Sequence, residues 1–141
     1  MKQLELIKEF ILKNGKLIEF KTGELIIPPG KEVDTIFLLE KGEARLIFKD
    51  NNKRTTLKKL NSGDLIGITS LITGKLSEEV RASSSITTYS IEKENFKNFI
   101  AEEITLNKFL ENYLFDEEIG FVIKGLLKHS LGKKNILKSI F

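Results

Sequence analysis

The chain has 141 residues, which is enough for one domain with its own hydrophobic core. It is 40% hydrophobic and 30% charged with a net charge of +3, so it resembles a folded globular protein, and its charge alone does not indicate a nucleic-acid partner. The absence of cysteine excludes disulfides, thiolate metal sites and cysteine nucleophiles within this sequence. The single histidine, His129, excludes a multi-histidine metal centre.

The beginning of the chain predicts a short amphipathic helix. Over residues 2–13, apolar residues recur at helical spacing with charges between them, and Asn14-Gly15 ends the run. The interleaved charges distinguish this segment from the apolar stretch of a signal peptide. No segment reaches the roughly 18 uninterrupted apolar residues of a membrane-spanning helix. We therefore expect a cytoplasmic protein with no membrane partner.

From Leu17 to Ile91 the sequence consists of short apolar runs separated by turn residues. The spacing of about eight to twelve residues is typical of an all-β sandwich or barrel. The predicted strands cover residues 24–27, 36–39, 44–48, 55–60, 65–68, 80–83 and 87–91. The breakers between them, such as Pro28-Pro29-Gly30 and Asn61-Ser62-Gly63-Asp64, are the residues that chain reversals favour.

Helical spacing returns after Glu92. Phe96, Phe99 and Ile100 predict a short helix, and a longer helix is predicted to begin near Thr105. On the longer helix one apolar stripe has intervals of four, three and four residues, which is heptad spacing. The stripe consists of Phe115, Ile119, Val122 and Leu126. Because an exposed apolar stripe usually marks an interface, these residues predict a homodimer.

The β segment resembles the cyclic-nucleotide-binding β-roll, and more narrowly the effector domain of catabolite-activator and FNR-type (Crp/Fnr) bacterial transcription regulators. The resemblance depends on the ordered strings Phe20-x-x-Gly23-Glu24-Leu25-Ile26-x-Pro28-Pro29-Gly30, Ile36-Phe37-Leu38-Leu39-x-x-Gly42-x-Ala44-x-Leu46 and Leu60-x-x-Gly63-Asp64-x-Ile66-Gly67. It implies a mainly β fold with flanking helices: a double-stranded β-helix, that is, a cupin-like jelly roll, followed by a long dimerisation helix.

The same resemblance implies three regions along the chain. Residues 1–100 would form the β-roll with its N-terminal helix, and residues 101–129 would form the dimerisation helix region. Residues 130–141 would begin a C-terminal DNA-binding domain that is otherwise missing. DNA would then be a partner only through that missing part.

The family's ligand site maps onto the segment that follows Gly67. In the family, a glutamate after this glycine holds the ribose, and an arginine about ten residues later pairs with the cyclic phosphate. Here Ile68 follows the glycine, and the arginine position falls on Leu76 or Ser77. Both charged ligands are therefore replaced, and apolar residues cannot reproduce a bidentate arginine contact. The candidate ligand-binding residues of this altered site are Gly67, Ile68, Thr69, Ser70, Lys75, Leu76 and Ser77.

Two interpretations of this site remain open. Lys75 could replace the arginine as a point charge, or it could be a solvated turn residue, which is the commoner role of a lysine in a turn. The pocket could keep its shape with altered chemistry, or an apolar plug could fill it. The plug would consist of Ile68, Leu71, Ile72 and Leu76.

The sequence predicts no cofactor and no catalytic residues. His129 could ligate haem, since the related regulators include haem-based gas sensors, but a lone histidine near a helix end is more often a surface or interface residue. Ser83-Ser84-Ser85 and His129 have no local context that would build a hydrolase triad. The predicted function is sensing of an unidentified effector and dimerisation. The alternatives are a stand-alone β-roll that acts as a scaffold without a small ligand, and a cupin-type enzyme, for which the metal ligands are lacking.

Overall fold

The computed structural model describes residues 2–74 and 76–102, together with residues 106, 108 and 110. The helices are α1 (Lys2–Asn14), α2 (Ile68–Thr73) and α3 (Lys93–Ala101). The strands are β1 (Lys16–Phe20), β2 (Leu25–Ile27), β3 (Thr35–Lys41), β4 (Ala44–Asp50), β5 (Lys53–Leu60), β6 (Leu65–Ile66), β7 (Glu79–Ala82) and β8 (Ile86–Glu92). The predicted mainly β fold with flanking helices is confirmed. Of the predicted longer helix, residues 106, 108 and 110 are helical, and Leu106 and Leu110 are buried. Its stripe residues Phe115, Ile119, Val122 and Leu126 lie outside the described residues, as does His129.

The strands form two antiparallel sheets. Sheet A has the order β1-β8-β3-β6, and sheet B has the order β2-β7-β4-β5. In each sheet, strands that are far apart in sequence are neighbours. For example, β1 pairs with β8 from Lys16↔Ser90 to Phe20↔Ile86, and β4 pairs with β7 from Ala44↔Ala82 to Ile47↔Glu79.

Two details of the strand pattern differ from the sequence prediction. The predicted strand over 65–68 ends at Ile66, because Gly67 adopts a left-handed conformation with φ +92° and Ile68 begins α2. Residues 16–20 had no predicted strand, yet they form β1. That strand depends on a partner about seventy residues later in the chain, and the buried Thr88 hydroxyl donates a hydrogen bond of 2.8 Å to the Ile18 carbonyl.

The core lies between the sheets and beneath the helices. The helical period of α1 places Ile7 and Ile11 on its inner side, where both are fully buried, and the predicted residues Phe96 and Ile100 of α3 are buried as well. Helices α1 and α3 both contact sheet A at β3 and β8. They also contact each other, since the rings of Phe10 and Phe99 stack with centroids 4.0 Å apart.

The two faces of sheet B have different compositions. On the inner face, Ala44, Leu46, Val80 and Ala82 belong to the hydrophobic core. Because side chains alternate along a strand, the residues between them face outward. The outer face therefore carries Arg45 and Ile47 of β4 and Glu79 and Arg81 of β7.

Candidate ligand-binding site

The candidate site is formed by one continuous segment between the two sheets. It starts where β6 ends in sheet A, contains the single short helix α2, and returns as a loop into β7 of sheet B. We call residues 67–77 the cassette; Lys75 within it lies outside the described residues. Both ends of the cassette are attached to sheet strands, so the sheets fix its position.

Gly67 is required by the geometry at the start of the cassette. Its φ of +92° disfavours any L side chain, and a Cβ there would lie 3.1 Å from Ile27 Cδ1 and 3.2 Å from Val33 Cγ1. Its carbonyl accepts a hydrogen bond of 3.1 Å from the Leu71 amide and so begins the helix. Apolar side chains therefore pack closely against the backbone at the point where α2 begins.

Ile68 occupies the position where the resembled family has its ribose-binding glutamate. Its side chain is buried, with 3% exposure, and it belongs to the hydrophobic core together with Leu71. Thr69 and Ser70 follow on the same helix and are half-buried. An acidic side chain at residue 68 would have to enter this apolar surrounding, which is costly for a charge without a partner.

Ser77 fastens the end of the cassette to the loop between β2 and β3. Its hydroxyl donates to the Pro28 carbonyl at 2.5 Å and accepts from the Lys31 amide at 3.1 Å. Its backbone amide donates to the Lys31 carbonyl at 2.9 Å, and its carbonyl accepts from the Gly30 amide at 2.8 Å. The residue is buried, so these four hydrogen bonds satisfy its polar groups within the protein.

Leu76, one of the two positions to which the resemblance assigns the phosphate-binding arginine, lies on the surface. It is 62% exposed, which is the largest exposure among the exposed large hydrophobic side chains of the described residues. The proposed plug therefore differs from the one expected. Ile68 and Leu71 are buried, but Leu76 is not, because the loop turns outward just before Ser77 is fastened. The Ile72 side chain lies outside the described part of the chain.

The charged residues that follow the cassette pair with one another across sheet B, and their contacts do not involve the cassette. Arg81 Nε donates to Glu79 Oε2 at 2.6 Å, and Arg81 Nη1 donates to the Gly23 carbonyl at 3.0 Å. Arg54 Nη2 lies 3.6 Å from Glu79 Oε1. Next to them, desolvation raises the pKa of the Glu78 carboxyl, although part of this residue still reaches solvent.

Sequence reasoning did not find this ion cluster. Glu79 and Arg81 are two residues apart, which places them on one face of a strand. Arg54, however, is 25 positions before Glu79 and two strands away in sheet B. No sequence pattern indicates that approach. Among the described residues of the cassette, no side chain carries a charge. In the part of the chain that the structure describes, no group of acidic, histidine or cysteine residues could hold a metal ion. No helix of that part is long and apolar enough to cross a membrane.

Three of the solved structures with the same fold are a catabolite activator protein, a global regulator and a regulatory subunit of a protein kinase. The catabolite activator protein of Thermus thermophilus superposes with a TM-score of 0.71 at 19% identity, over 89% of this chain and 59% of that one. The c-di-GMP-responsive global regulator CLP of Xanthomonas campestris gives 0.70 at 15% identity, over 89% and 63%. The regulatory subunit of a cAMP-independent protein kinase A from Trypanosoma brucei gives 0.64 at 17% identity, over 76% and 40%.

The chain therefore spans less than two thirds of each of these three proteins. No curated protein matches it by sequence. The sequence model of the cyclic nucleotide-binding domain, in contrast, matches residues 17–103, which include every strand except the first residue of β1 and also the whole cassette. The chain belongs to the cyclic nucleotide-binding domain family.

Proposed function

We propose that this chain is the effector-sensing and dimerisation part of a Crp/Fnr-like transcription regulator whose cyclic-nucleotide site is degenerate, and that it binds rather than catalyses. The observation that supports the proposal is the cassette: its helix and its fastening at Ser77 are present, while Ile68 is buried and Leu76 is exposed. The resemblance assigns the family's two charged ligands to Ile68 and to Leu76 or Ser77, none of which is charged. The regulators of Thermus and Xanthomonas that share the fold support the sensing role.

The loss of both charged ligands determines the expected specificity. A buried phosphate without a guanidinium partner is destabilised by several kcal/mol, so neither cyclic AMP nor cyclic GMP should bind tightly. Titration calorimetry of the full chain tests this, and sub-micromolar affinity for either nucleotide would contradict it. The matched variant Leu76→Arg restores the cation at an exposed position that can accept it. It should bind cyclic nucleotides more tightly than the unmodified chain does.

The proposal includes a homodimer formed through Phe115, Ile119, Val122 and Leu126. Parallel pairing about a two-fold axis would bury this apolar stripe against its own copy. The double variant Ile119→Glu and Val122→Glu should be monomeric by light scattering, with an unchanged far-ultraviolet spectrum of the β-roll. An unmodified chain that is monomeric at tens of micromolar would refute this interface.

The proposed sensing part is not expected to recognise a DNA sequence. A recognition helix must enter the major groove to read sequence, and the resemblance assigns residues 130–141 only to the opening helix of a DNA-binding domain. Gel-shift assays at about 150 mM salt, where contacts to phosphates are strongly screened, should therefore show no sequence-selective binding by residues 1–141. Selective, salt-resistant binding would contradict this part of the proposal.

The close packing at Gly67 favours a second function, that of a scaffold module without a small ligand. Ile27 and Val33 already lie against the start of α2, in the region where the family binds its ligand. Native mass spectrometry of protein purified from its own cells separates the two functions. A bound small molecule in stoichiometric amount supports sensing, and its consistent absence supports the scaffold.

A further inference from the structure

The outer face of sheet B carries a dense set of cations. Its strand residues pair across the sheet so that like charges are direct neighbours: Arg45 lies opposite Arg81 on one side and opposite Lys59 on the other. Further along β4, Lys49 lies opposite Arg54. We call these five residues the cationic face. Glu79 is the acidic residue of β7 that shares this face, Asp50 ends β4 next to Lys49, and Glu43 and Glu78 precede their strands.

Three of these cations have no partner among the described residues. Arg45, Lys49 and Lys59 are exposed, and the described part of the chain supplies no ion pair or hydrogen bond to their side chains. Like charges directly opposite each other on neighbouring strands destabilise a sheet. The arrangement therefore opposes folding, and a bound anion would remove that cost.

The other two cations lie against Glu79. Arg54 on β5 reaches Glu79 on β7, so its side chain crosses the outer surface of the intervening strand β4. Ile47 lies on that surface at 3% exposure and outside the main core cluster, which the crossing guanidinium explains. Glu79 itself is 3% exposed and also binds Arg81. Arginine side chains therefore cover the centre of the face.

From this arrangement we propose that the cationic face binds the phosphate backbone of duplex DNA without sequence selectivity. Protein–protein interfaces have an apolar centre and are depleted in lysine. At the centre of this face Ile47 is buried, Lys49 and Lys59 are exposed, and the exposed Leu25 lies only at the β2 edge, opposite Arg81. Interfaces with nucleic acid are polar and strongly positive. The strand residues of this face include no aromatic side chain on which the bases of a single strand could stack.

The spacing of the cations agrees with B-form DNA. Arg45 and Lys49 are four residues apart on β4, which corresponds to about 13 Å along a strand. The B-DNA major groove is about 12 Å wide, so the two levels of cations can meet phosphates on its two sides. The A-form helix of RNA has a narrow major groove and does not offer this match. The cationic face is separate from the cassette, so variants of the face test DNA binding without changing the cassette.

Fluorescence anisotropy with a labelled duplex of about 20 base pairs tests the proposal on the full chain, in a salt series from about 50 to 200 mM. The triple variant Arg45→Gln, Lys49→Gln and Lys59→Gln removes the unpaired cations and leaves Arg54 and Arg81 on Glu79. The matched control Lys2→Gln, Lys13→Gln and Lys97→Gln removes three exposed cations from α1 and α3 and changes the net charge equally. The C-terminal lysines are the same in both proteins.

The triple variant should lower the slope of log affinity against log salt by about 2.7, since each phosphate contact contributes about 0.9. Its affinity at the lowest salt should fall at least about tenfold, and the control should stay close to the unmodified chain. Thermal melting should show that the triple variant is at least as stable as the unmodified chain, because like-charge neighbours are removed. If the triple variant is unfolded, the single variant Lys59→Gln should still lower the slope by about 0.9.

Four outcomes would overturn the proposal. The triple and control variants could lose affinity equally, which would assign the binding to net charge alone. The unmodified chain could fail to bind the duplex at the lowest salt. A duplex RNA of equal length could bind more tightly than the DNA. Polyglutamate of equal charge could displace the labelled duplex as well as unlabelled DNA does, which would assign the face to an acidic protein.

Discussion

Replacing Ser77 by alanine tests how the cassette is held in place. The substitution removes the hydroxyl that donates to the Pro28 carbonyl and accepts from the Lys31 amide, while the two backbone hydrogen bonds of residue 77 remain. A hydrogen bond of this kind contributes about 1 kcal/mol net, so two give an upper value of about 2 kcal/mol. Pro28 and Lys31 are exposed residues that water can reach. We therefore expect a loss of about 1–2 kcal/mol in the free energy of unfolding.

Thermal and urea unfolding followed by circular dichroism measure this loss. For a domain of this size, it corresponds to a decrease in melting temperature of about 3–7 °C. The matched control is Ser83→Ala, because Ser83 is exposed and its hydroxyl forms no hydrogen bond with the described residues. Its melting temperature should not change by more than about 1 °C. If Ser77→Ala and Ser83→Ala melt alike, the hydroxyl of Ser77 does not fasten the cassette and the reasoning from these two bonds is wrong.

Three further predictions concern the sheets. Gly42→Ala should lower the free energy of unfolding by several kcal/mol or prevent folding, because Gly42 has φ +92° and a Cβ would lie 2.5 Å from the Ser85 carbonyl oxygen. The control Gly23→Ala has φ +87° but open space around the added Cβ. It should lower the free energy of unfolding measured in urea by only about 1 kcal/mol. A double-mutant cycle of Glu79→Gln and Arg81→Met should give a coupling energy above about 1 kcal/mol. The coupling between Arg54 and Glu79 should be less than about 0.5 kcal/mol, because the Arg54 side chain is 51% exposed. Equal couplings would contradict the assigned geometry. Because desolvation raises the pKa of the Glu78 carboxyl, ionisation of that carboxyl opposes folding. Glu78→Gln should therefore raise the melting temperature at neutral pH, and this gain should vanish as the pH falls below the pKa of the carboxyl in the unfolded chain. A gain that is constant with pH would exclude desolvation as its cause.

The family and most of the secondary structure could be predicted from the sequence. The apolar period of residues 2–13 predicts α1, and Phe96 and Ile100 predict α3, because these elements are local and their inner residues recur every three to four positions. The ordered glycines predict the corners of the roll. Gly42, Gly63 and Gly67 all have positive φ, a requirement that is readable from residue type alone. That Ile68 and either Leu76 or Ser77 stand at the positions of the family's charged ligands is inferred from the sequence and stays a prediction.

Several features are visible only in the tertiary structure, because they depend on contacts between distant parts of the chain. β1 is a strand because β8 pairs with it, and its five residues contain no signal of that partner. Ser77 looked like a ligand-binding candidate because of its position, while its actual hydrogen bonds to Pro28 and Lys31 come from the way the two loops meet. The order β2-β7-β4-β5 brings Arg54 over β4 to Glu79 and aligns Arg45 with Arg81. Sheet order and register are set by which faces are buried together, so charge neighbours across strands become visible only when the sheet is assembled.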